Sequence, residues 1–580
     1  MPPSDDRSAR PARRILSGTA ATLFIAAVLV VVTRPMFLEH GLWVGAGVPD
    51  TSWLRLLQNG PAQATATAPG DEFWGVLGTG DTLRSVWTVA WWAHAALHPP
   101  SSWYDANIFF PERRSLTYAD PQLGAAPWFA PTWWLSGDPV LAYQAALLLV
   151  AAVDGGLMYL LVRRWTGSAV AGLVSGLIGT IAPYHTSHLN LLYLYATAYL
   201  PASLLAVDAI VAGRRPLLAA IVLAAAVALQ GTTSAYAVFL CFLLIPAYAG
   251  GVLLVAPRGG RLRATAWIGA ALAITGVALV VFYRPWSAHL AEGLFPQVQG
   301  DKPKLEGMPL LWFWLLPLQN LYGHFIFGLG VPLLALAALG LLEPRARRRL
   351  AAAAIVVVGT LVALGPAVPV HGVLVPNPVW KLLARAVPGF EAQRHSFVSM
   401  TMVGVGCALL AGLGTAWLLD RAQTPRARAA IGVLVVAIVV WTLREPIRPP
   451  SLIQPATGAA VPEPYRWLAA HGEGGALLEV PISLPFSAVY AYFSTFHWLP
   501  TVTGTSSILP PDYLVRTMRS NQIFDAAGAA AFVRDVPVTW VLVHTSLLDD
   551  AMRARIASPP PLLEPVATFG EAVLFRVRAR

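Results

Sequence analysis

Eleven apolar runs, separated by short polar joints, govern what this chain can become. They fall at about residues 15–33, 140–162, 167–184, 191–212, 217–233, 237–256, 264–283, 325–343, 350–366, 397–419 and 428–443. Runs of about 18 residues are long enough to cross the hydrocarbon of a bilayer as helices. Charged residues make up only 12% of the chain, about half the share of a soluble globular protein. The expected fold class is therefore an α-helical polytopic membrane protein with about eleven transmembrane helices.

The arginines give these spans a direction. Arg7, Arg10, Arg13 and Arg14 precede the first run. Later clusters are Arg163-Arg164, Arg214-Arg215, Arg258/Arg261/Arg263, Arg345/Arg347/Arg348/Arg349 and Arg421/Arg426/Arg428. With the amino terminus inside, every second connection falls inside, and each of these carries one cluster, as the positive-inside rule requires. The net charge of +10 follows from this arrangement and implies no nucleic-acid partner. The basic start of the first run resembles a signal peptide, but no clean small-x-small site follows, so it reads as an anchored span. Lysine appears only at Lys302, Lys304 and Lys381, a bias that suggests a GC-rich bacterial genome. The expected location is thus a bacterial cytoplasmic (inner) membrane. Cys241 and Cys407 lie inside apolar runs and form no ligand pattern.

This topology predicts a cytoplasmic tail over 1–14, a membrane domain over 15–444 and an extracytoplasmic domain over 445–580. The outer face carries the 35–139, 285–324 and 367–396 loops and the tail. Strand-like Ala476–Pro481, Val538–His544 and Ala572–Val577, with a helical Tyr465–Ala469, predict a small α/β fold for the tail.

The 35–139 loop concentrates candidate chemistry. Leu83, Val86, Trp87, Ala90, Trp91, His94 and Leu97 follow helical spacing. The predicted helix is amphipathic and too short to span, and its tryptophans suit the membrane interface. Asp81 lies one residue before its first turn, where it is equally a helix cap or a catalytic carboxylate on a rigid helix start. Asp105 and Asp120 read first as turn or cap residues. The sequence identifies no certain cofactor. A divalent metal at Asp71-Glu72 is the weaker reading, since acidic pairs in loops are usually just solvated.

Gly80-Asp81, the Trp/Ala/His helix to His94, Tyr104–Pro111 and Gly137–Tyr143 together resemble bacterial GT-C-type membrane glycosyltransferases. Ala182–His188, Val387–Arg394 and Tyr492–Trp498 extend the resemblance along most of the chain. It implies a GT-C-like membrane fold and a glycosyltransferase of the cell envelope. Such an enzyme moves a sugar from a polyprenyl-phosphate-linked donor to a glycan, lipid or protein acceptor at the outer face. Asp81 is then the general base of an inverting displacement. Arg394, His395 and Arg284 become candidates for the leaving phosphate, which arginine suits.

Other polar residues join the candidate set as substrate contacts: His94, Asp105, Asp120, His185, His188, Gln230, His497 and Trp498. His185 and His188 share a face only if the helix continues past Pro183. Gln230 is equally explained by a span terminus. Asp208 is expected to pair with Arg214 or Arg215, and Asp154 has no evident partner. Two rival readings are a lipid or glycan transporter and a non-catalytic membrane scaffold. Transporters commonly carry internal repeats and broken helices, and neither is clear in the sequence.

Overall fold

The computed structural model describes residues 9–43, 56–57, 71–181, 183–186, 188–291, 331–344, 348–370, 373–387, 389–390, 393, 396–443, 452–506 and 508–578. Helices fall on each of the eleven apolar runs, in 325–343 over the described stretch Val331–Gly340. Among the described residues, five helices are long and apolar enough to cross a membrane: Pro139–Thr166, Leu192–Val211, Ala235–Val255, Arg258–His289 and Met400–Arg421. Four more apolar helices are shorter: Gly18–Val32, Ala169–Ile181, Pro216–Gly231 and Arg349–Ala363. The chain is a multi-pass membrane protein.

It divides into two compact units. The first comprises Met1–Phe37, Ala146–Phe282 and Val298–Pro449. Its centre is the Met400–Arg421 helix, on which every residue from Met400 to Ala416 is buried. Glycine permits its close packing. A Cβ on Gly414 would strike the Leu336 carbonyl, and one on Gly340 would strike the Leu410 carbonyl. Helix association in lipid depends on such backbone approach, because lipid tails are as apolar as leucine.

The expected 191–212 span is interrupted. Leu192–Tyr195 and Tyr199–Val211 are separate helical stretches. A break in a span frees backbone groups that water cannot satisfy, and Gln230 takes up one of them. The Gln230 amide donates to the Ala196 carbonyl at 2.8 Å. The Thr197 hydroxyl donates to Asp154 Oδ2 at 2.9 Å, which accounts for a carboxylate the sequence left unplaced. Asp208 also differs from expectation. It accepts from Arg348 Nε at 3.1 Å, Tyr248 OH at 3.0 Å and Trp165 Nε1 at 2.8 Å. Arg214 and Arg215 are exposed in the turn after the Tyr199–Val211 helix.

The second unit comprises Leu38–Ala145, Tyr283–Gln297 and Pro450–Arg580. The first long loop and the tail therefore fold together. Leu42–Trp43 pairs antiparallel with Leu452–Ile453, and the Asp71–Leu97 helix packs on Leu484–His497. The tail forms a mixed four-stranded sheet in the order Leu477–Val480, Trp540–His544, Ala572–Val577, Leu563–Phe569. The first pair is parallel and the others are antiparallel. A parallel pair needs a crossover, and helices Leu484–His497, Tyr513–Arg519 and Ala526–Asp535 lie in it.

Inside this unit the Asp71–Leu97 helix departs from the sequence reading. It begins ten residues before Asp81, so Asp81 is not its cap. Nor is it an interfacial helix with tryptophans turned to lipid. Its residues Thr82 to Ala93 are all buried. Trp87 donates to Asn107 Oδ1 at 3.1 Å and Trp91 to the Trp103 carbonyl at 3.2 Å. Trp92 donates to the Pro121 carbonyl. A buried indole finds an acceptor for its N–H, and the loop that follows the helix provides all three.

Candidate active site around Asp81

Asp81 projects from this buried helix with its side chain 44% exposed. One turn on, Arg84 is only 5% exposed and its Nη2 reaches Asp81 Oδ1 at 2.9 Å. The pairing joins a solvent-accessible carboxylate to a cation embedded in the unit. The flanking residues fix the helix. Thr82 Oγ1 donates to the Trp43 carbonyl at 3.1 Å, and a Cβ on Gly80 would touch Ala488 at 3.8 Å. Ser85 donates to Gln122 Oε1 at 2.9 Å and accepts from Tyr143 OH at 3.2 Å. The helix that carries Asp81 is therefore held on several sides.

A second feature lies at the far end of the same helix. The His94 ring stacks on Trp498 with centroids 4.0 Å apart and on His98 at 4.6 Å. Trp133 meets Trp498 edge-on at 5.9 Å. Trp498 adopts a left-handed conformation at φ 55 as the cap of the Leu484–His497 helix, which turns its ring onto His94. Burial, aided by nearby His98, lowers the His94 pKa to about 4, so the ring is neutral at pH 7. Half-buried stacked aromatics of this kind suit the apolar face of a sugar ring.

The remaining candidates are dispersed. Asp105 Oδ1 accepts the Arg114 amide at 2.6 Å, a turn-stabilising contact, and Asp120 is half-buried. Arg284 is exposed on the Arg258–Ala291 helix. His497 is buried, its Nδ1 accepts the Leu499 amide at 3.1 Å, and its ring stacks on Tyr465. Burial lowers its pKa to about 3. All of these belong to the second unit.

His185, His188 and Gln230 belong to the first unit and are buried there. The helix carrying His185 ends at Thr186 and His188 lies in the following turn, so no continuous helical face joins the two rings. His185 meets Tyr195 edge-on at 6.1 Å. Arg394, His395 and the side chains of Asp71 and Glu72 lie outside the described residues. Among the described residues, no three His, Cys, Asp or Glu side chains gather as a metal-holding group.

Sequence reasoning missed Arg84 as a partner for Asp81, although their i,i+3 spacing was available. It also missed Asp138. Asp138 Oδ1 accepts the Val140 and Leu141 amides at 2.9 and 3.0 Å, capping the Pro139–Thr166 helix. Its Oδ2 accepts from His40 at 2.9 Å and Thr457 at 3.1 Å. The Asp-Pro pair before an apolar run was a legible start signal for a helix; the long-range contacts were not.

No known family description matches the chain, and no curated protein does either. Solved structures do. Arabinofuranosyltransferase AftD from Mycobacteria aligns over 96% of this chain at 16% identity with a TM-score of 0.51. The apo oligosaccharyltransferase of Archaeoglobus fulgidus aligns over 94% at 10% identity with a TM-score of 0.50. The chain shares the fold of these two solved transferases. The chain spans 41% of the length of AftD and 71% of the archaeal enzyme. At these identities the GT-C likeness is one of fold, and activity has to be argued from the site.

Proposed function

We propose that the chain is a GT-C glycosyltransferase that moves a sugar from a polyprenyl-phosphate-linked donor to an acceptor hydroxyl at the outer face of the cytoplasmic membrane. The observation that carries this reading is Asp81, a half-exposed carboxylate on a rigid buried helix, paired with buried Arg84 at 2.9 Å, within a GT-C fold. In the proposed step the acceptor oxygen forms a bond to the anomeric carbon while the bond to the phosphate oxygen breaks. The acceptor proton passes to Asp81, and the polyprenyl phosphate leaves with the electron pair. A single displacement inverts the anomeric centre. Arg284, in the same unit as Asp81, is proposed to hold the leaving phosphate, and the Trp498–His94 stack, about 20 Å further along the helix, to hold a sugar ring of the acceptor away from the reacting bond.

The interrupted helix at residues 196–198 is a feature that transporters also use. Here Gln230 takes up the Ala196 carbonyl at the break and Asp154 holds the Thr197 side chain, which favours a structural role for it. The test is to reconstitute the protein in vesicles with a panel of polyprenyl-phosphate-linked sugars and to measure free polyprenyl phosphate and glycosylated product. Release of both with inversion is expected. Movement of intact donor across the bilayer, with no cleavage, would establish the transporter reading instead.

A further inference from the structure

A cavity of about 520 Å³ lies in the first unit, where the Ala235–Val255 and Arg258–Ala291 helices meet the residues that begin Arg349–Ala363. Arg258, Arg261 and Arg349 line it together with Leu254, Pro257 and Leu350. No acidic residue lines it among the described residues. The first two helices belong to the set long and apolar enough to cross a membrane, so the cavity opens where spans end.

Its two halves differ in chemistry. Arg261 is oriented by the carbonyls at the end of the Ala235–Val255 helix, donating to Ala256 at 2.9 Å and to Leu254 at 3.0 Å. Arg349 donates to the Glu343 carbonyl at 3.1 Å. Each guanidinium has five N–H donors, so both keep donors for a ligand. Arg258 is exposed, and its side chain forms no hydrogen bond or ion pair among the described residues. The other half is hydrocarbon. Leu254 is 71% exposed and Leu350 is 48% exposed, and such surface at a span end faces acyl chains. A phosphate group among three arginines with a chain running along leucine is the chemistry of a lipid, not of a soluble anion.

We propose that this cavity seats the phosphodiester headgroup of an anionic phospholipid, with its acyl chains along Leu254 and Leu350. The site is separate from Asp81 and does not depend on glycosyl transfer. A structural arginine cluster with no lipid preference would bind all headgroups alike, and the test separates the two. The full-length protein is delipidated in detergent, and native mass spectrometry then counts retained phosphatidylglycerol or phosphatidylcholine during titration. Inorganic phosphate is the competing probe.

Wild-type protein should retain phosphatidylglycerol about tenfold or more tightly than phosphatidylcholine, with the preference shrinking in high salt. Arg258→Glu should abolish the preference without disturbing the carbonyl contacts of Arg261 and Arg349. Arg263→Glu, an equal charge change at an exposed arginine outside the cavity lining, should leave it intact. Should Arg258→Glu fail to give monodisperse protein, Arg258→Gln serves, with a weakened preference expected. Equal retention of the two lipids by wild type overturns the proposal, as does equal loss in the Arg258 and Arg263 variants. Displacement of phosphatidylglycerol by millimolar inorganic phosphate would assign the cavity to a free anion and overturn the lipid.

Discussion

Replacing Asp81 by Asn separates two tasks that its carboxylate could perform, proton acceptance and neutralisation of Arg84. The structural cost can be worked out first. Two unit charges about 4 Å apart attract by roughly 4 kcal/mol at an effective dielectric constant of 20. Asp81 is 44% exposed, and solvent screening at such a site leaves on the order of 1 kcal/mol. Asn retains an oxygen that can accept from Arg84. The predicted loss is therefore about 1 kcal/mol, or a fall of about 2–4 °C in the apparent melting temperature. Loss of a general base is far larger in rate, about 10²–10⁴-fold, equivalent to roughly 3–5 kcal/mol of barrier. Initial rates of polyprenyl phosphate release are to be measured beside melting curves for wild type, Asp81→Asn and Asp81→Glu. The expected pattern is a rate at least about a hundredfold lower for Asn, near-normal melting, and partial recovery with Glu, which restores the carboxylate. If Asp81→Asn turns over within about threefold of wild type while melting a few degrees lower, the carboxylate serves Arg84 alone and the reasoning about Asp81 as base is refuted.

Two further predictions concern the second unit. His497 is buried and its pKa is lowered to about 3, so the unfolded chain takes up a proton that the folded one refuses. Its contribution is complete above the ordinary value of about 6.5 and falls by about 1.4 kcal/mol per pH unit below it, or roughly 2 kcal/mol by pH 5. Melting curves at pH 7 and pH 5 should show this loss in wild type and a smaller one in His497→Gln; identical pH dependence in both would remove His497 as the cause. In the tail sheet, the fully buried Glu479 accepts from Tyr465 OH at 2.8 Å and pairs with His544 Nε2 at 3.2 Å. Glu479→Ala leaves Tyr465 OH and His544 Nε2 only their mutual contact at 3.4 Å, opens a void among buried side chains, and should cost about 3–5 kcal/mol. Hydrogen exchange in Leu477–Val480 and Trp540–His544 should then accelerate by roughly 10²–10³-fold, whereas a change under about tenfold would show that the carboxylate is not what holds these strands.

Much of the fold was legible because it is encoded locally. An apolar run of span length has few alternatives to a membrane helix, and the described helices fall on all eleven runs. The strands Leu477–Val480, Trp540–His544 and Ala572–Val577 stood out by their buried, β-branched residues. Leu563–Phe569 did not, because as an edge strand most of its side chains are exposed. The start of the Asp71–Leu97 helix was missed because Gly75, Gly78 and Gly80 are poor helix formers. Packing of the helix on Leu484–His497 and Ala126–Ser136 overrides that preference.

The sequence by itself determined a multi-span chain, the presence of a mixed tail fold and a carboxylate worth testing at Asp81. Only the tertiary structure decided which residues meet. Asp208 found Arg348, 140 positions away, because side chains on adjacent spans pair across space and not along the chain. The tryptophans of the Asp71–Leu97 helix are compatible with both a membrane interface and a protein core. The core prevails because the Asn107 side chain and the Trp103 and Pro121 carbonyls take their N–H groups. Asp81 likewise exchanged its expected place at a helix end for a place within one, facing an arginine that the fold had already buried.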